Sequence, residues 1–188
     1  MAATFAFDED YGAQTGSPTR GTSQTTGITN VNWSNNSDPT TVYSSNPITA
    51  GNNSYDRWQF GHFSGTFNQI LGGLFAHTAV ALTDFLGAAN LTLKGTPACT
   101  GDGDRLLYTT PVTTANATLT TDMTAVTAIG SGVAVFFGAT GPYATGKAAS
   151  MTTNPCYTNY LTTQLQSAAG CAANDTSTIT LTLRYQEN

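Results

Sequence analysis

The segment Gly61-His62-Phe63-Ser64-Gly65 places an imidazole and a hydroxyl two residues apart, the pair from which an acyl-transfer centre is built. A nucleophile elbow needs G-x-S-x-G across a strand–turn–helix junction. Here Ser64 falls one position late, inside a stretch with strand-like alternation. On a strand His62 and Ser64 share one face, but a triad base ordinarily arrives from a distant loop, oriented by a carboxylate. The spacing therefore argues against catalysis: no catalytic residue is expected, and His62 reads as an edge or interface residue.

The acidic residues give no stronger signal. Asp102 and Asp104, in the glycine-rich turn GDGDR, supply two oxygen ligands of the kind calcium or magnesium takes. The remaining acidic ligands of a calcium loop are missing, so the turn reads as solvated and neither metal nor other cofactor is expected. Asp8-Glu9-Asp10 reads as solvent-exposed charge near a flexible end. The eleven Asp and Glu residues are scattered, and no pair stands out as the two carboxylates of a glycosidase. Of the three cysteines, Cys156 and Cys171 flank a candidate strand and either bridge or remain free, partly buried thiols; Cys99 is left over. The two histidines lie far from them in sequence, against a zinc site.

The elements that would position these groups are strands. Threonine is the commonest residue type, and only 9% of the 188 residues are charged, against roughly 25% in an average globular protein. Threonine stiffens the backbone toward extended conformations, and the usual helix builders are scarce. With six Lys and Arg and a net charge of −5, the chain cannot assemble a basic patch, so no nucleic-acid partner is expected. Its longest apolar run is broken by Gly72 and Gly73 and is too short for a membrane helix. The amino-terminal residues show neither the positive start nor the hydrophobic run of a signal peptide. A hydroxyl-rich, charge-poor surface with no export signal fits a virion component assembled in a host cytoplasm and exposed on lysis.

Along the chain, residues 1–30 have no period and few apolar side chains, and read as an extended amino-terminal arm. Phe5 and Phe7, in the strand-capable ATFAF, are its expected assembly contacts. Residues 31–188 read as one β-sandwich domain, of jelly-roll or Ig-like type. NVNWS and VYSSNPITAG start the series of short strands. In RWQF, Trp58 and Phe60 alternate with Arg57 and Gln59; beyond Gly61 the phase changes and Phe63 and Phe67 take the polar register, as at a bulge. Trp58, Phe60, Phe63 and Phe67 are the expected core anchors. NLTLKG, GVAVFFG and NYLTTQLQ supply further strands. STITLTLRYQEN puts Ile179, Leu181, Leu183 and Tyr185 on one face, expected inward, with threonines on the other. Only TAVALTDFLGAAN reads as a helix, and a short one.

Two of these stretches, PITAGNNSYDRWQFGHFSGTFNQI and CYTNYLTTQLQSAAGCAANDTSTITLTLRYQEN, resemble small structural proteins of tailed bacteriophages. In that family a proline- and glycine-containing entry leads into an aromatic strand, and a Y-x-x-Y-x-x-x-Q strand precedes a last strand closing in an aromatic and an acid, here Tyr185 to Glu187. The similarity covers roughly Pro47 to Ile70 and Pro155 to Glu187. PACTGDGDRLLY and the cysteines have no counterpart in it. The resemblance implies a virion protein with no reaction of its own, most plausibly a head-decorating (cement) protein whose partners are the major capsid protein and its own copies in a homotrimer. A tail or head–tail connector component and a carbohydrate-binding adhesion module, using rings such as Trp33, Tyr55 or Tyr143, are the alternatives.

Overall fold

The computed structural model describes residues 2–16, 19–77, 91–95, 108–115, 119, 121–122, 150–152, 154–158, 160–171 and 181–187, with 71–77, 91–95, 121–122, 150–151 and most of 181–187 through their backbone. Extended backbone dominates, as a threonine- and aromatic-rich chain requires. The strands are β1 (Ala3–Thr15), β2 (Arg20–Thr25), β3 (Arg57–Gly65), β4 (Ile70–His77), β5 (Leu91–Gly95), β6 (Thr121–Asp122), β7 (Ser150–Met151), β8 (Cys156–Tyr157), β9 (Leu161–Ser167) and β10 (Leu181–Glu187). One 3₁₀ turn, Tyr43–Ser45, is the only helical piece among the described residues. The expected helix at residues 78–90, the strand around Val133, Val135 and Phe137, and Ile179 lie outside the described residues.

The larger sheet runs β2-β1-β3-β9-β5-β6, with β8 also on β3; β10-β4-β7 forms a second sheet. All the pairings are antiparallel. The first thirty residues are not an arm laid outward: β1 pairs with β3 from Ala3↔Gly65 to Asp10↔Trp58, and β2 folds back on β1. Too apolar-poor to fold alone, this segment gains its partners from β3, 48 to 62 positions along. The hairpin carries a register shift between Tyr11 and Gln14. There β2 passes so close that a Cβ at Gly21 would run into the Tyr11 backbone, a place only glycine fills.

The β1–β3 register is unbroken, so Gly61 is no bulge. The apparent change of phase has another cause. Both faces of β3 are covered, and Arg57, Trp58, Gln59, Phe60 and Phe63 are all buried. Trp58 and Phe60 point to one face; Arg57, Gln59 and Phe63 point to the other. On the first, Trp58, Phe60, Tyr108 and Tyr160 form one cluster, with ring centroids 5.2 Å (Trp58–Tyr108), 5.3 Å (Trp58–Tyr160) and 5.7 Å (Phe60–Tyr160) apart. On the second, Phe63 packs with Phe5 at 5.1 Å and with Tyr185 of β10 at 4.8 Å. Phe5 also meets Phe7 and Tyr185, so the expected intersubunit rings pack within their own chain. Phe67 is buried as well, and Tyr185 is half-buried. Leu181 and Leu183 lie in β10, opposite His77 and Phe75 of β4.

NVNWS (30–34) and VYSSNPITAG (42–51) do not form the expected strands; the second carries the 3₁₀ turn instead. Residues 32–37 cross the second face as a strap over Arg57. Residues 53–54 run on beside β9, with Asn53 bridged to Gln166, and residues 108–115 cross the aromatic face as a second strap. Some strap groups meet backbone, as the Ser34 carbonyl meets Tyr55 N–H and the Val112 carbonyl meets Asp56 N–H; others must find side chains. That requirement accounts for the burial of Arg57, Asp56 and Gln164.

Candidate functional site

The most concentrated chemistry among the described residues lies where β1, β3 and the two straps meet. Asp8, Glu9 and Asp10, expected in solvent, are each buried, because β1 is an inner strand with material on both faces. Successive residues point to opposite sides, and each carboxylate has its own partners.

Glu9 faces the strap side with Arg57, which is 1% exposed, the largest fully buried side chain described. One Arg57 nitrogen, Nη1, donates to the Ser37 carbonyl at 2.9 Å and to Glu9 Oε1 at 3.5 Å. The other, Nη2, donates to the carbonyls of Asn32 (2.5 Å) and Asn36 (3.0 Å) and to Ser34 Oγ (3.0 Å). The strap carbonyls are thus closer than the carboxylate, and the guanidinium acts first as a clasp on the strap backbone. Gln59 Nε2 donates to Glu9 Oε2 at 3.3 Å, and Trp33 Nε1 donates to Thr163 Oγ1 at 3.1 Å. Burial pushes the Glu9 carboxyl up, against the attraction of Arg57, and the same burial pushes the Arg57 guanidinium down, against Glu9. Withdrawing both charges from water costs several kcal/mol per ion, which the pair by itself does not recover. The carbonyl bonds make up the difference.

The aromatic face carries the other acids. Asp10 accepts a short hydrogen bond from the Tyr160 hydroxyl. Asp56 accepts from Trp58 Nε1 at 3.3 Å and from the Val112 amide at 2.6 Å, while its own amide donates to the Val112 carbonyl. Gln164 Nε2 donates to the carbonyls of Ser54, Val112 and Thr114, and the Tyr108 hydroxyl donates to the Gly12 carbonyl. Burial, then the nearby Asp10, Asp56 and Glu9 charges, drive the Tyr108 phenol well above its ordinary range. This face also holds a splice between β8 and β9, where Thr158 replaces a ladder partner: Gly61 N–H donates to its hydroxyl at 2.7 Å, and its amide donates to the Gly61 carbonyl at 2.9 Å.

His62 lies on this inner strand and not at a sheet edge, flanked by β1 and β8. Its Nδ1 sits 3.0 Å from Asp8 Oδ2, and its ring lies 4.8 Å from that of Tyr157. The orienting carboxylate missing from the sequence pattern is therefore present, on a strand 54 residues away. Its other oxygen, Oδ1, accepts the Gly27 amide at 2.9 Å, which ties the exit of the β1–β2 hairpin to β3. A carboxylate opposite Nδ1 favours a proton there and leaves Nε2 as the acceptor. Ser64 lies two positions on, across from Thr4.

Asp102 and Asp104 lie outside the described residues, as do Cys99 and Tyr143. Among the described residues, no group of three or more His, Cys, Asp or Glu is placed to hold a metal ion. Cys156 and Cys171 do not bridge to each other; burial pushes the Cys156 thiol up to about 11. Sequence reasoning missed Arg57, Glu9, Asp56 and Gln164. The available signal was a charged residue at alternating positions within the most aromatic segment of a chain that uses charge sparingly. No family model, curated protein or solved structure matches this chain.

Proposed function

We propose that the chain is a structural component of a bacteriophage virion, a head-decorating (cement) protein that bridges capsomers and performs no reaction. Its two sheets would pack as a single β-sandwich of jelly-roll or Ig-like type. Its partners would be the major capsid protein and its own copies in a homotrimer, which matches the local three-fold positions of an icosahedral shell. The observation that carries this reading is spatial. The two segments that resemble phage structural proteins, about a hundred residues apart in the chain, lie side by side: Gln59 opposite Leu161, His62 opposite Tyr157, Ile70 opposite Glu187. A resemblance split in sequence thus falls on one contiguous unit. The chemistry agrees, since the carboxylates, guanidinium and imidazole of that unit are engaged in holding strands and straps together.

The deciding experiment is the copy number of the chain in purified particles. On the order of hundreds of copies, in proportion to the capsomers, is the expected result for a symmetric shell. A single ring of copies would move the chain to the tail or connector, and none in the particle would overturn the reading.

A further inference from the structure

The two most exposed large apolar side chains reported for the described residues, Val42 (61%) and Tyr43 (51%), are neighbours in sequence. They sit at the tip of the loop that leaves the Arg57-clasped strap. That loop is built rigidly. Asp38 Oδ1 accepts from the Thr40 amide at 2.8 Å and from the Thr40 hydroxyl at 2.6 Å. The 3₁₀ turn closes through Ser45 N–H to the Val42 carbonyl and Asn46 N–H to the Tyr43 carbonyl. Asn46 Nδ2 reaches the Val42 carbonyl as well. The Asn35 amide donates to the Asn46 carbonyl and shuts the base of the loop. Directly behind that base, Arg57 grips the carbonyls of Asn32, Asn36 and Ser37.

A buried ion pair is an expensive way to fix a surface loop, and it specifies conformation better than it adds stability. A tip held in one conformation loses little entropy on docking, and tyrosine is among the residues enriched at binding hot spots. The tip is also uncharged: no Asp, Glu, Lys, Arg or His occurs from Pro39 to Tyr55, in a chain of net charge −5. A partner that relied on charge would find nothing here to pair with.

We propose that the 38–46 loop is a preorganised docking prong whose Val42–Tyr43 tip inserts into an apolar, uncharged pocket of the shell protein, with Arg57 and Glu9 as its positioning residues. The proposal rests on the virion reading and names the contact through which that reading would operate. Shells prepared without this chain are the probe, titrated with the full-length protein and with the Val42→Ser/Tyr43→Ser double variant. The expected result is a loss of affinity of about tenfold or more, with the melting temperature and the solution mass of the free protein unchanged. Undiminished binding by the double variant overturns the proposal. A change in the free protein's oligomeric state would assign the tip to a second copy and overturn the partner named here. If the intact protein itself leaves the shells bare, the virion reading falls and takes this partner with it, a result distinct from the variant's failure alone.

Discussion

The two faces of β3 are built from alternate residues of one nine-residue strand, yet they are held by different forces. On one, Trp58 and Phe60 meet Tyr108 and Tyr160 edge to face, and apolar area supplies the stability. On the other, Arg57 and Gln59 meet Glu9 and the carbonyls of a strap. The difference teaches that a covering element decides what a sheet face must contain. The aromatic strap delivers a ring, Tyr108, and is pinned at Val112 by Asp56 and at Val112 and Thr114 by Gln164. The opposite strap delivers the carbonyls of Asn32, Asn36 and Ser37, and a single buried guanidinium meets all three.

That contrast can be broken by substitution. Arg57→Met keeps bulk but leaves Glu9 without its counter-ion and three strap carbonyls without their donor, and is expected to cost about 3–5 kcal/mol in chemical denaturation. Adding Glu9→Gln to that variant should cost less than Glu9→Gln does alone, because the buried charge is already orphaned. Tyr160→Phe keeps the aromatic cluster and removes one bond to Asp10; its expected cost is smaller, about 1.5–3 kcal/mol. If Tyr160→Phe proved the costlier of the two, the division between a packed face and a clasped face would be wrong.

The pH dependence sharpens the same comparison. Burial holds the Glu9 carboxyl above its ordinary 4.5. A carboxyl with a raised folded pKa binds its proton more tightly folded than unfolded. Its contribution is therefore present below the ordinary value and is lost as pH rises through the folded one. Relative to Glu9→Gln, the wild type should lose stability as pH rises above about 4.5. A relative gain over that window would mean that attraction to Arg57 outweighs desolvation. The smallest effect is kinetic. With its thiol near 11, Cys156 should alkylate far more slowly at pH 8 than the half-exposed Cys171 in the native protein. Equal rates, read by peptide mass, would place Cys156 outside the packed sheet.

Much of the β-structure was legible because a period of two needs no knowledge of partners. The strands at β3, β5, β9 and β10 follow from local alternation, and the burial of Trp58, Phe60, Phe63 and Phe67 from ring size. The candidate site was not legible. Asp8-Glu9-Asp10 reads as surface charge in any window, and only its partners make burial tolerable. Those partners are His62, Arg57 and Tyr160, at separations of 54, 48 and 150 residues.

What the sequence by itself determined is the extended backbone and which residues are too apolar to leave in water, since both depend on side-chain shape and hydration within a few positions. The tertiary structure alone decided that the amino-terminal segment is an inner strand, that two expected strands are irregular chain, and that Arg57 is a clasp. The reason is the cost of burial: an isolated charge or carbonyl is tolerated inside only when a specific partner arrives, and that partner comes from wherever the fold brings the chain back.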